Sequence, residues 1–140
     1  MTEVKAKWTE GMQFVARADS GHAIVMDTVP QVGGMDTAIR PMELLLVGLA
    51  GCTGMDVISI LRKMRVEFDN FEVLVKAEKA PQHPKVYTKI DLEYLIWGKE
   101  IPEDMYKKAI NLSQEKYCSA SVMLGRTAQL SYSYRINPES

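Results

Sequence analysis

Residues 41–64 read PMELLLVGLAGCTGMDVISILRKM, and this stretch decides the fold. It is the longest run in the chain that fits one helix. Pro41 suits a first helical turn, where its missing N–H is no loss. Glu43 stands near the positive end of the helix dipole, and Arg62 and Lys63 near the negative end. From Leu44 to Leu49 the run is almost wholly apolar, so this half is expected to be buried on every side. Gly48, Gly51 and Gly54 recur every third residue. Each costs about 1 kcal/mol against alanine in a helix. Close approach of another backbone, such as the same helix of a second subunit, would account for the stripe. Cys52 sits among these glycines.

Outward from the helix, the flanks read as strands. On the N-terminal side Val4, Ala6 and Trp8 alternate with Lys5 and Lys7, which predicts a half-buried strand with Trp8 as a core anchor. A turn at Glu10-Gly11 leads to a second strand around Met12, Phe14 and Ala16, and Ala23 to Met26 make a third. Asp27 to Arg40 holds Pro30 and Gly33-Gly34 without a period and reads as a long loop. On the C-terminal side a strand is expected around Phe71 to Ala77. Another follows from Val86 to Ile96, with Val86, Thr88, Ile90, Leu92 and Tyr94 on one face. Pro102, Glu103 and Asp104 open a second helix with Met105, Ala109 and Leu112 as its apolar stripe, running to about Lys116. A short helical turn over Ser119 to Leu124 and a last strand over Leu130 to Ile136 complete the chain. Strands at the ends with helices between predict a single α+β domain, residues 1–140, with mostly antiparallel pairing. One sheet covers one face of the long helix, which points to a homodimer with the helices at the boundary.

Composition narrows the function. The chain has 140 residues, 46% hydrophobic and 25% charged, with a formal net charge of −1. That balance gives no electrostatic case for nucleic acid. Glu43 and Asp56 bracket an apolar stretch shorter than the roughly 18 residues a membrane span needs, so no membrane is expected as a partner. The N-terminal MTEVKAKWTE has no apolar core of a secretory signal, so a cytoplasmic address is expected. Two cysteines in such a chain are read as free, reactive or buried rather than as a permanent staple.

Cys52 and Cys118 lie on different elements, far apart in sequence. As residue types they fit two buried small hydrophobes or a pair doing thiol redox chemistry. With His22 and His83 they do not fall at zinc-ligand spacings, so no metal is expected. Neither histidine has a Ser or Cys beside it, which leaves a hydrolase triad unsupported. No glycine-rich nucleotide loop is present either. A peroxide O–O bond is broken by a thiolate, and a second thiol can condense with the resulting sulfenic acid, so such chemistry needs no cofactor. The nine methionines suit adaptable packing or pocket lining.

Arg40-Pro41-Met42-Glu43-Leu44-Leu45, with Gly48-Leu49-Ala50-Gly51-Cys52 behind it, resembles the cysteine helix of the OsmC/Ohr family, the osmotically inducible and organic hydroperoxide resistance proteins. The Trp8 to Phe14 hairpin and the second cysteine before a last strand fit too, and the resemblance covers nearly the whole chain, closest to an OsmC-like branch. It implies the OsmC-like α+β fold, with antiparallel sheets wrapped around two long central helices in an intertwined homodimer. It implies a thiol peroxidase for organic hydroperoxides, and hydrogen peroxide as a further substrate, with sites at the subunit boundary. Cys52 would be peroxidatic, Cys118 would resolve it to a disulfide, and a dithiol would reduce both.

The chain departs from the family pattern at the activating groups. In the hydroperoxide reductases a glutamate directly follows the helix proline. Met42 stands there in this chain, with Glu43 one place later, on roughly the opposite side of the helix from Cys52 at about 100° per residue. The hairpin arginine of the family is absent between Glu10 and Phe14, leaving Arg17 and Arg40 as the nearest basic candidates. These departures favour an alternative, a non-catalytic or redox-sensing OsmC-like protein that binds a small apolar ligand at the dimer boundary.

Overall fold

In a computed structural model that describes residues 1–139, the chain is α+β and its backbone contacts group into two compact units, Met1–Val47 and Gly48–Ser140. The first unit is a three-stranded antiparallel meander of β1 (Val4–Glu10), β2 (Gln13–Ala18) and β3 (Ala23–Met26). Gly11 turns the first hairpin at φ +54°, and the Trp8 indole N–H donates to the Gly11 carbonyl at 2.8 Å. Alternation in β1 was expected to make it half-buried, but every residue of β1 is exposed and Trp8 keeps 59% of its surface. A period of two marks which face is apolar and not what covers it.

The following loop is ordered by one carboxylate. Buried Asp27 accepts from the backbone N–H groups of Thr28, Met35 and Thr37 and from the Thr37 hydroxyl at 2.6 Å. These bonds, led by the Thr37 hydroxyl, hold its carboxyl below the usual carboxylate value. Gly34 is required here, because an added Cβ would lie 2.0 Å from the Thr28 carbonyl oxygen.

Helix α1 (Pro41–Lys63) starts as the sequence indicates, with Pro41 in the first turn and the Glu43 carboxylate accepting from the Arg40 N–H at 2.9 Å. It closes with Val66 N–H on the Leu61 carbonyl and Arg65 at φ +59°. The single chain by itself does not supply the expected cover on every side of the front half. Leu45 and Val47 are exposed, and an added Cβ at Gly48 or Gly51 would meet nothing within 4 Å. Gly54 alone of the stripe faces packed side chains, with Val73 at 3.4 Å from its would-be Cβ.

The second unit holds β4 (Asn70–Lys79), β5 (Tyr87–Trp97), α2 (Glu103–Leu112), a π-helical turn (Ser113–Tyr117), α3 (Ser119–Gly125) and β6 (Gln129–Ile136). β4 and β5 are antiparallel, but β6 lies parallel to β5. The helices between β5 and β6 form the crossover a parallel neighbour needs. Ile90, Leu92, Tyr94 and Ile96 of β5 are fully buried, as the alternation predicts, whereas Val86 and Thr88 are exposed and Tyr87 is buried. The reason is a bulge. Glu78 pairs with Lys89 and Lys79 with Tyr87, so the extra residue at Thr88 reverses the faces before it. On α2 the buried residues are Tyr106, Ala109 and Ile110, while Met105 is exposed. Spacings of three and four fit both stripes, and packing selects one. Leu49, Val57 and Leu61 of α1 add fully buried side chains to the core, and Val66 and Ala128 are buried as well.

Candidate functional site

Both cysteines belong to the second unit, and both are free thiols. Cys52 sits midway along α1 and is half-buried. Cys118 is 1% exposed and occupies the position before the first turn of α3. There its sulfur accepts from the Ser121 N–H at 3.3 Å, in the way a capping side chain does. Burial pushes the Cys118 thiol up. The Ser121 hydroxyl and N–H pull it back, and the adjacent Cys52 thiol pushes it up further as a hydrogen-bond partner and as a like charge. The Ser121 hydroxyl exerts the larger of the two downward pulls, although its oxygen lies buried without a well-formed hydrogen bond. Two thiols far apart in sequence are thus neighbours, unjoined.

The π-helical turn brings Cys118 there. Its defining bond runs from Cys118 N–H to the Ser113 carbonyl at 2.7 Å. Ser113 is itself fully buried, and its hydroxyl meets Thr53, the residue after Cys52, at 2.7 Å. Thr53 Oγ1 also meets the Tyr94 hydroxyl at 2.6 Å and takes a bond from Gln114 Nε2 at 3.2 Å. Gln114 Nε2 reaches Tyr94 at 2.6 Å, and Ser113 donates to Asp56 Oδ2 at 2.9 Å. Burial raises the Tyr94 phenol, Thr53 and Gln114 lower it, and nearby Cys118 raises it again.

The other three candidates from the sequence are engaged in the first unit. Arg17 donates to the Gly21 carbonyl at 3.0 Å, Arg40 pairs with Asp36 at 3.6 Å, and Glu43 caps the start of α1. Among the described residues no three His, Cys, Asp or Glu side chains gather where they could hold a metal ion. The sequence reading did not single out Thr53, Asp56, Tyr94, Ser113, Gln114 or Ser121 for the site. Tyr94 was visible only as a core position, and nothing local marks a hydroxyl that will be buried against another.

A long helix with a mid-length cysteine, and a second cysteine on the crossover before the last strand, define an OsmC-type fold. The family model described as OsmC-like protein matches residues 34–133, and the chain belongs to that family. Protein YhfA of Escherichia coli (strain K12) is 34% identical over 134 residues, which are 96% of this chain and 97% of that protein. The crystal structure of a hypothetical protein from Aquifex aeolicus VF5 aligns with a TM-score of 0.80 at 30% identity, over 99% of this chain and 98% of that one. The organic hydroperoxide resistance protein OhrB of Bacillus subtilis shares the fold at a TM-score of 0.60 and 20% identity, over 96% of this chain and 98% of that one.

Proposed function

We propose that this protein is a thiol peroxidase that reduces organic hydroperoxides, and hydrogen peroxide as a further substrate. The observation that carries the reading is the Cys52–Cys118 neighbourhood within an OsmC-like chain. Cys52, the more accessible sulfur, attacks one peroxide oxygen as the thiolate. The O–O bond breaks, the alcohol leaves with a proton, and Cys52 becomes a sulfenic acid. Cys118 then attacks that sulfur, water leaves with the thiol proton, and a disulfide forms. A dithiol reductant supplies two electrons and two protons to restore both thiols. Burial suits Cys118 to the second step, since a thiol shielded from solvent is spared direct oxidation.

The active form in this reading is a homodimer in the cytoplasm, with each chain folding as one OsmC-like domain. Support for the dimer comes from α1. Counted between Glu43 and Asp56 its apolar stretch is too short for a membrane span. Over an 18-residue window, however, the helix is apolar enough for one by length and composition, and 22% of that window is buried in the single chain. In an OsmC-type fold such a face is a packing surface for a second copy. A redox-sensing protein that holds a small apolar ligand is the second reading. The local engagement of Arg17, Arg40 and Glu43 favours it, because no activator of Cys52 is assigned among them.

The deciding experiment adds cumene hydroperoxide to the reduced protein and counts thiols against time. Rapid loss of both thiols, absent in Cys52→Ser and reduced to one trapped sulfenic acid in Cys118→Ser, supports the peroxidase. Loss at the rate of free cysteine leaves the sensing reading.

A further inference from the structure

The hydrogen bonds behind the two cysteines have only one consistent direction. A hydroxyl has one proton to give and two lone pairs to receive. Ser113 gives its proton to the Asp56 carboxylate, so at the 2.7 Å contact Thr53 must donate to Ser113. Thr53 has then spent its proton, so at 2.6 Å Tyr94 must donate to Thr53. Gln114 Nε2 supplies the start of the chain, donating to Tyr94 and to Thr53. Every hydroxyl proton in the group is used, and the chain ends on a carboxylate. Thr53, Tyr94 and Ser113 are fully buried, so no water substitutes readily for a missing member.

The same group joins the two cysteine-bearing segments. Thr53 is bonded covalently to Cys52. Ser113 takes the Thr53 proton through its hydroxyl and the Cys118 N–H through its carbonyl. Gln114, next in the π-helical turn, adds one bond to the Thr53 hydroxyl and one to the Tyr94 hydroxyl that donates to Thr53. We infer that Thr53, Ser113 and Gln114 are positioning residues that hold the Cys118 turn against α1 and thereby set how readily Cys52 and Cys118 form their disulfide. The inference rests on the reading that the two cysteines work as a pair, but it does not need a peroxide as the oxidant.

The test is the disulfide equilibrium in glutathione buffers. Cys52 and Cys118 give two electrons and two protons to oxidised glutathione, which leaves as two molecules of the reduced form. The square of the reduced glutathione concentration divided by the oxidised one, at half-oxidation, gives the effective concentration of one thiol at the other. Thr53→Val and Gln114→Leu are expected to lower it roughly tenfold or more, and Thr53→Ser, which keeps the hydroxyl, to restore it. Ile110→Val, a destabilising change in the apolar core of α2, controls for stability and is expected to leave it unchanged while lowering the melting temperature. Values for Thr53→Val and Gln114→Leu within about twofold of the parent would overturn the inference. Should Thr53→Val fail to fold, Gln114→Leu, at the half-buried edge of the group, decides alone. A parent protein that forms the disulfide with glutathione yet ignores peroxide removes the peroxidase reading and leaves this inference standing. A parent that forms no disulfide at any glutathione ratio removes this inference as well.

Discussion

At the scale of single residues, burial and hydrogen bonding set two opposite pH dependences. Cys118 is held neutral by its enclosure, so its folded pKa lies above the ordinary thiol value of 9.0. The unfolded chain therefore releases that proton first as pH rises. Stability from Cys118 is full below pH 9 and is lost as pH climbs from there through the folded pKa. Denaturant titrations of the reduced protein from pH 7 to 10.5 should show a decline that is shallower in Cys118→Ser. Asp27 behaves the other way. Its lowered pKa means that stability is present above the ordinary value of 3.8 and is lost as pH falls through the folded value. Asp27→Asn is expected to lower the melting temperature at pH 7 and to flatten the acid side of the profile, as thermal melts between pH 7 and 3 will report. The two cysteines were legible in the sequence because thiols are few and chemically distinctive. Asp27 was not, since a carboxylate in a loop is ordinary until four donors converge on it.

Two glycines separate what an element needs for itself from what it needs for a partner. Gly34→Ala puts a Cβ into the Thr28 carbonyl and is expected to destabilise by more than about 2 kcal/mol, because backbone has to move. Gly51→Ala meets no atom within 4 Å in the chain, so with α1 bare it should stabilise by about 0.5–1 kcal/mol. If a second copy packs there, a larger Gly51→Leu change should instead weaken association. Chemical denaturation across a range of protein concentrations separates the two outcomes. In the core, Ile110→Ala on α2 should cost about 2–5 kcal/mol by the same denaturation, since Ile110 is 1% exposed. The period of α2 showed that one face would be buried, but spacing alone fitted Met105-Ala109-Leu112 as well as Tyr106-Ala109-Ile110. The bulge at Thr88 was equally hidden, because the extra residue is visible only against its partner strand.

For the molecule as a whole, the exposed apolar surface is the main quantity to explain. β1 is exposed along its length, and Leu45, Val47 and Met55 of α1 are all open in the single chain. A chain with a net charge of −1 has little repulsion to keep such surfaces apart. Sedimentation is expected to show a homodimer, and Val47→Glu, which places charge on the open face of α1, to shift it toward monomer. Dimerisation unchanged by Val47→Glu would move the interface elsewhere.

The sequence by itself determined the α+β class, the extent of the long helix, most strand positions and the two cysteines. These depend on local periodicity, capping and residue chemistry, which are written within a few residues of each other. Only the tertiary structure decided that β6 runs parallel to β5 and that Thr88 bulges. It also decided that a π-helical turn bonded to Thr53 sets Cys118 near Cys52. Each of these is a pairing between distant segments, chosen by which contacts bury the most surface and leave the fewest hydroxyls unpaired. No local pattern encodes that choice.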